Sequence, residues 1–369
     1  MGIGIVKDGS RKNDKGGLIN LVKKNKVLSW FLVLMLLTAL FSVGCGDAGG
    51  GSNGVEEDGE QGVSDENGDQ DGESSDYTIS WGTAPAGGVW QVLGTAMLED
   101  ITKSHSNITG STVPIGGFAN VVGVSEGQLQ VAFSLSATTG DAWDGKGPFE
   151  DKGKLRNFCT LATLFPEPTH VVVYADSGID SIEQLKGKRV TPGPKGLATE
   201  QDTRRVVEAY GLTYDDFRIE MLSFEEAAQQ MLDDHIDAIF YGAMILPAPN
   251  VVNVSSQKKV KMLSLSEDKI NTIVENNKGT VPYTIPAGAY EGVDYPVDGI
   301  ATIVNIIARE DLPDDIAYDI VKTIAENFDR YRTVTKAMEL CEKEDMAKDM
   351  GIPFHPGALK YYQEQGWID

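Results

Sequence analysis

YTISWGTAPAGGVWQVLGTAMLEDITKS, residues 77–104, decides the fold. Tyr77–Trp81 alternates in the manner of a short strand, and Gly82–Gly88 is a turn rich in Gly, Ala and Pro. Val89–Ser104 then places Val89, Val92, Leu93, Ala96, Met97 and Ile101 on one face, the spacing of an amphipathic helix. Strand, glycine-rich turn and helix form one α/β unit, and the pattern continues on its C-terminal side. Ser111–Ile115 and Gln130–Phe133 read as strands flanking a helix over Gly117–Gln128, and Leu161 and Val171–Tyr174 mark two more strands. A second unit opens near Ser177. Asp180–Leu185 reads as a short helix and Arg189–Pro192 as a strand; Thr199–Tyr210 and Phe224–Asp233 read as helices. Ile236–Tyr241 and Val260–Leu265 read as strands. Ile300–Ala308 is an apolar run suited to a buried strand, and helices dominate from Leu312 onward. Strands alternating with helices imply layered α/β architecture.

On the N-terminal side the pattern changes. Seven basic residues, from Lys7 to Lys26, precede the apolar run Val27–Val43, and small residues surround Cys45. A positive region, an apolar stretch and small residues are the layout of a secretory signal. Gly44-Cys45-Gly46 resembles a bacterial lipobox, which makes Cys45 the lipidation site and residues 1–45 a lipoprotein-type signal, although Ser42 stands where Leu is usual. An uncleaved anchor is the competing reading, since the run approaches the ~17–25 residues that span a bilayer. Both readings place the remainder outside the cytoplasm. Residues 46–76 carry eleven acidic and no basic residues, so they are expected to be a disordered acidic, Gly-rich tether. Its root-mean-square reach is roughly 30 Å.

The formal net charge is −23 for the chain and −28 beyond residue 45, which argues against nucleic-acid binding. Four histidines without metal-type spacing argue against a zinc site. Cys159 and Cys341 are compatible with one disulfide or two separate thiols. No nucleophile elbow, H-E-x-x-H or Cys–His arrangement is present, so the chain reads as a binding protein without catalytic residues, metal or cofactor.

Seven stretches in order carry a resemblance. They are Ile79–Trp90, Asp144–Phe149 (DGKGPF), Leu155–Asp176 (LRNFCTLATLFPEPTHVVVYAD), Ser181–Gly193 (SIEQLKGKRVTPG), Leu222–Ala227 (LSFEEA), Thr284–Tyr290 (TIPAGAY) and His355–Tyr361 (HPGALKY). Together they resemble the TAXI-type solute receptors of TRAP transporters. The resemblance implies a two-lobed α/β protein of the type II periplasmic-binding-protein fold with two crossover segments. Lobe 1 would comprise 77–173 plus 305–369 and lobe 2 would comprise 174–304. It further implies capture of a small carboxylate, of amino-acid or oxo-acid type, and delivery to TRAP membrane permease subunits; the N-terminal segment, read as a lipoprotein signal, places the protein lipid-anchored at the outer face of the cytoplasmic membrane. Presentation of the ligand to a membrane sensor kinase is the alternative.

The expected ligand contacts follow from both readings. The turn 82–88 either aims N–H groups and a helix N-terminus at a cleft, suited to an anion, or is a tight turn that needs Gly for φ > 0, and the resemblance favours ligand contact. Thr83, Gly88 and Val89 are the contacts there, and Trp90 is either an aromatic wall or core. Ser136 ends a strand and offers a hydroxyl or caps a helix. Gly196-Leu197-Ala198-Thr199 stands where the family commonly has Gly-Ser-Gly-Thr, which implies a less polar or differently shaped ligand; Thr199 is an N-cap, a ligand donor, or both. Tyr241 and Tyr283 either close the cleft or sit in the core. Among Lys195, Arg156, Arg204 and Arg205, each able to pair with a carboxylate, the sequence selects none.

Overall fold

The first strand, β1 (Tyr77–Thr83), ends in three fully buried residues and leads into α1 (Val89–Ser104), whose buried face includes Leu93, Met97 and Ile101. The computed structural model describes residues 76–369 except residue 87. The signal segment 1–45 with Cys45, and all of the acidic tether except Asp76, lie outside the described residues. After α1 come β2 (Ile108–Pro114), α2 (Gly117–Ser125), β3 (Val131–Leu135), α3 (Ser136–Asp144) and β4 (Phe158–Pro168). The chain then passes to β5 (His170–Tyr174), β6 (Arg189–Thr191), α4 (Ala198–Ala209), β7 (Arg218–Ile219), α5 (Phe224–Leu232), β8 (Ala238–Tyr241), α6 (Pro249–Ser255), β9 (Val260–Met262) and α7 (Glu267–Asn276). It returns through β10 (Thr280–Ile285) and β11 (Val297–Arg309) and finishes in α8 (Asp314–Glu326), α9 (Phe328–Val334) and α10 (Pro356–Glu364).

Two sheets result. The first has the order β10-β11-β3-β1-β2, with β4 also paired to β11; the second has the order β7-β6-β8-β5-β9. β1 is parallel to β2 and β3, and β6 is parallel to β7 and β8. In each sheet the strand that crosses from the other half, β11 or β5, lies antiparallel beside the third strand of the unit. Both halves thus share the order second, first, third, crossing strand. This is the two-lobed α/β architecture expected of a type II periplasmic-binding-protein fold.

Apolar side chains cover both faces of both sheets. Phe133, Leu161, Phe165 and Ile306 pack with α1 and α8 on one face of the first sheet, and Val121, Phe149, Phe158 and Ile307 pack on the other. Val172, Ile239 and Met231 form one core of the second sheet; Val173, Phe240 and Val206 form the other. β11 is buried along nearly its whole length, which explains its continuous apolar sequence. Its first half also belongs to the second lobe's packing, with Val297 and Ile300 in that lobe's two cores.

The sequence reading missed several elements. Leu161 lies in an eleven-residue strand, β4, whose Pro, Glu and Thr residues disguise it. A helix does follow the strand at Ser136, as the capping reading allowed, although Ser136-Ala-Thr-Thr-Gly-Asp-Ala-Trp-Asp144 has little helix propensity; the Ala137 N–H bonds the Thr302 hydroxyl of β11. The short helix expected over 180–185 is a single 3-10 turn, Glu183–Leu185. Cys159 and Cys341 are both free thiols. Among the described residues no helix is long and apolar enough to cross a membrane.

The first crossing is built around a buried histidine. His170 accepts a hydrogen bond at Nε2 from the Tyr290 hydroxyl (2.7 Å), which accepts in turn from the Ala248 N–H (2.7 Å). Its Nδ1 lies 2.8 Å from the Pro168 carbonyl, an acceptor only, so the proton sits on Nδ1. Burial pushes the imidazole pKa down to about 4.

Candidate ligand cleft

Three helix starts meet where the two lobes face each other. α1 begins after Gly88, α2 after Gly116 and α4 after Leu197, and none of the three has a side-chain cap. Their first-turn N–H groups, among them those of Val89, Trp90, Ala198 and Thr199, are therefore left for another acceptor. Glycine makes the convergence possible. Gly116 (φ +83°) and Gly117 (φ +45°) take left-handed backbone at the mouth of α2. A Cβ on Gly116 would lie 3.1 Å from Pro85 Cδ, and one on Gly117 would lie 3.6 Å from the Ala198 nitrogen across the cleft. The three positive helix ends form a pole suited to a carboxylate.

The pole rests on an apolar floor. Ala84 and Val89 from lobe 1 and Ala198, Ala243 and Ile245 from lobe 2 pack against the cluster containing Trp90 and Phe133. Trp90 stacks on Phe133 with centroids 6.0 Å apart. Asn120 steadies the strand ends, donating to the carbonyls of Thr83 (3.3 Å) and Phe133 (2.8 Å).

Beside the pole lies an acidic group that the sequence reading did not single out. Glu167, the penultimate residue of β4, is 7% exposed, and its Oε1 accepts a hydrogen bond from Trp90 Nε1 (3.3 Å). Burial first, and the neighbouring Asp202 carboxylate after it, push its pKa up to about 8 against the pull of the Trp90 hydrogen bond. Asp202 on α4 pairs with Arg205, whose Nη2 reaches across to Asp141 Oδ2 on α3 (2.5 Å). Asn277 donates to Asp141 Oδ1 (2.7 Å) and to the Ala137 carbonyl (3.1 Å). This cluster ties α3 of one lobe to α4 of the other. At the crossing itself the Thr169 hydroxyl donates to the Gly242 carbonyl (2.7 Å), and the Met244 N–H donates to the Pro168 carbonyl (3.1 Å).

The expected contacts separate into two groups. Thr83, Gly88, Val89, Trp90 and Thr199 lie at the convergence. Thr83 is fully buried with its hydroxyl directed at the carbonyls of Ala84 and Val113, so its position within the site is set by its backbone. Thr199 is the second residue of α4 and not its cap, a place taken by Leu197. Trp90 combines both readings, packed in the core and bonded to Glu167.

Ser136, Tyr241 and Tyr283 are placed differently. The Ser136 hydroxyl donates to the Gly279 carbonyl and accepts from the Ile303 N–H (2.8 Å), locking α3 to β11. Ser136 is the first residue of α3, after Leu135 at the cap position. Tyr241 is fully buried, stacks edge-on against Phe224, and accepts from Asn250 Nδ2 (2.8 Å). Tyr283 lies on β10 opposite Gly299, half-buried against a lobe 2 core. The basic side chains are also accounted for. Arg204 pairs with Glu200 (2.7 Å) over the Tyr214 ring, Arg205 lies in the bridging cluster, Arg156 stands over Trp143, and Lys195 is exposed. The elements missed, Glu167, Asp202, Asp141 and Asn120, carried no local pattern beyond the Pro-Glu-Pro of β4, a strand end with a charged residue at its centre.

Several solved structures resemble this chain at low identity. A TctC solute binding protein from Polaromonas is 20% identical with a TM-score of 0.46, covering 77% of this chain and 98% of its own. The alkanesulfonate-binding protein SsuA from Xanthomonas axonopodis pv. citri, bound to MOPS, is 13% identical with a TM-score of 0.44, covering 78% and 83%. A putative L-cystine ABC transporter from Listeria monocytogenes is 15% identical with a TM-score of 0.42, covering 73% and 98%. No residue role passes from these likenesses to this chain. The family model described as NMT1-like matches residues 81–366, from within β1 to just past α10. That span includes the second sheet, all of the first sheet except residues 77–80, and every helix start of the cleft, and the chain belongs to the NMT1-like family.

Proposed function

We propose that the chain is an extracytoplasmic solute receptor that captures a small carboxylate between its lobes and hands it to a membrane permease. The observation that carries this reading is the convergence of three uncapped helix N-termini from both lobes on one apolar-floored cleft. Positive helix ends replace the hydration of a carboxylate without a buried arginine, and contributions of up to ~2 kcal/mol are reached in partly buried geometries. Val89, Trp90, Ala198 and Thr199 supply the N–H groups, and Ala84, Ile245 and the Trp90 ring supply apolar contact. The lobes are assigned as 77–173 with 305–369, and 174–304. Bridging across the Asp141–Arg205 pair supports a clamp that closes over solute.

The finer assignment follows the sequence resemblance: a TAXI-type receptor of a TRAP transporter, held by a lipid on Cys45 and extended on the acidic segment 46–76. The reading includes a role without turnover. Glu167 has one side-chain hydrogen-bond partner among the described residues, the Trp90 indole. A thermal-shift screen of organic acids and amino acids tests the function. A bound solute at 100 times its Kd raises stability by about 2.7 kcal/mol. A flat response across all carboxylates would remove the proposed ligand class.

A further inference from the structure

The cleft buries more carboxyl groups than a carboxylate receptor needs. Asp202 and Asp141 share a single guanidinium, that of Arg205, while Glu167 lies near Asp202 with no ion-pair partner among the described residues, and all four side chains are largely buried. Asp202 is 3% exposed, and its Oδ2 is buried without a hydrogen-bond partner among the described residues. Glu167 accepts one hydrogen bond, on Oε1 from Trp90, and its other oxygen accepts none from the described residues. A buried carboxyl without a cation is costly, and a charge brought by a ligand would offset that cost. Trp90 joins the two poles: its backbone N–H lies in the first turn of α1, and its indole N–H holds Glu167.

We infer that Glu167 is the specificity-determining residue of the cleft, pairing with an ammonium group on the solute and selecting amine-bearing carboxylates over their amine-free counterparts. The inference rests on the proposed receptor function and narrows its ligand class. The solute's carboxylate meets the helix starts and its ammonium meets Glu167, with the Trp90 ring beside it. Other charged groups facing Glu167 are few. Asp202 approaches from α4 with Arg205 behind it, α1 presents only the Trp90 indole, and His170 on β5 is held by Pro168 and Tyr290. Because the empty site keeps Glu167 protonated below about pH 8, ammonium binding displaces that proton to water. Affinity therefore rises toward pH 8, by up to about tenfold per unit.

The test uses matched probes on the protein as expressed: alanine with pyruvate, leucine with 4-methyl-2-oxopentanoate, glutamate with 2-oxoglutarate, and putrescine as an amine without a carboxylate. Thermal shift ranks them, and calorimetry in two buffers of different ionisation enthalpy counts protons. The expected result is binding of an amino acid at least tenfold tighter than its oxo-acid. Close to one proton should be released near pH 7, and Glu167→Gln should lose both the preference and the proton release. An oxo-acid bound as tightly as its amine, or affinity that falls as pH rises, overturns the inference and leaves the receptor reading standing. Putrescine binding without any carboxylate sustains Glu167 as the ammonium partner and overturns the carboxylate reading. Silence from every probe overturns both. The comparison of probes uses the unmodified protein, so it discriminates these outcomes even where Glu167→Gln folds poorly.

Discussion

Replacing Asp141 with Asn separates closure of the clamp from stability of its lobes. Asp141 and Arg205 are 13% and 16% exposed and lie on helices of different lobes, 2.5 Å apart. Removing one member of a fully buried pair costs about 3–5 kcal/mol, and an exposed pair contributes ~0–1 kcal/mol. Arg205 keeps Asp202 as a partner in the variant, and Asn at 141 can still accept from Asn277, so the loss falls between these bounds, at about 2 kcal/mol. At 1.4 kcal/mol per factor of ten, that is roughly a 30-fold shift from closed toward open. Small-angle scattering of the ligand-free protein should show a larger radius of gyration for Asp141→Asn. The affinity for a solute identified by screening should weaken by up to about the same 30-fold factor. Equal scattering profiles and equal affinities for the two proteins would refute the assignment of this pair as the interlobe tie.

Three further outcomes follow from other parts of the structure. Gly242→Ala would place a methyl on the backbone of Asp202 and Thr203, so a loss of about 3 kcal/mol or more is expected in urea unfolding. Glu167 has a folded pKa near 8, above its value in the unfolded chain, so its contribution is complete below about pH 4.5 and is lost as pH rises through 8. Glu167→Gln should therefore flatten the decline of ligand-free stability between those limits, by a few kcal/mol at pH 8. His170 shows the opposite sign: with its pKa lowered to about 4, its contribution is complete above about pH 6.5 and is lost as pH falls toward 4. His170→Gln should remove nearly one proton from the acid limb of the stability profile, read from unfolding midpoints at each pH.

How far the sequence could be read depended on where the information lay. Strand–turn–helix at 77–104 and again at 189–210 is local, so both cleft walls were legible from periodicity and glycine placement. The order of strands within each sheet is non-local and came only through family resemblance. Ser136 was read as a ligand donor or a helix cap because its partners, the Gly279 carbonyl that accepts from it and the Ile303 N–H that donates to it, lie 143 and 167 residues away and leave no local pattern. Tyr241 shows the same limit, since its partners Phe224 and Asn250 are what bury it. Glu167 is the sharpest case. A glutamate between two prolines in an apolar strand reads as a surface residue, and only the tertiary fold reveals that it faces Trp90 and Asp202 in the cleft.

The central claim is that solute is held where α1, α2 and α4 begin. Amide chemical shifts of the 15N-labelled protein, recorded with and without a saturating solute from the screen, test it most directly. The account predicts the largest changes at Val89, Trp90, Gly117, Ala198 and Thr199. Changes concentrated elsewhere, for instance in the surface groove lined by Tyr318, Arg332 and Trp367, with these amides unmoved, would contradict it.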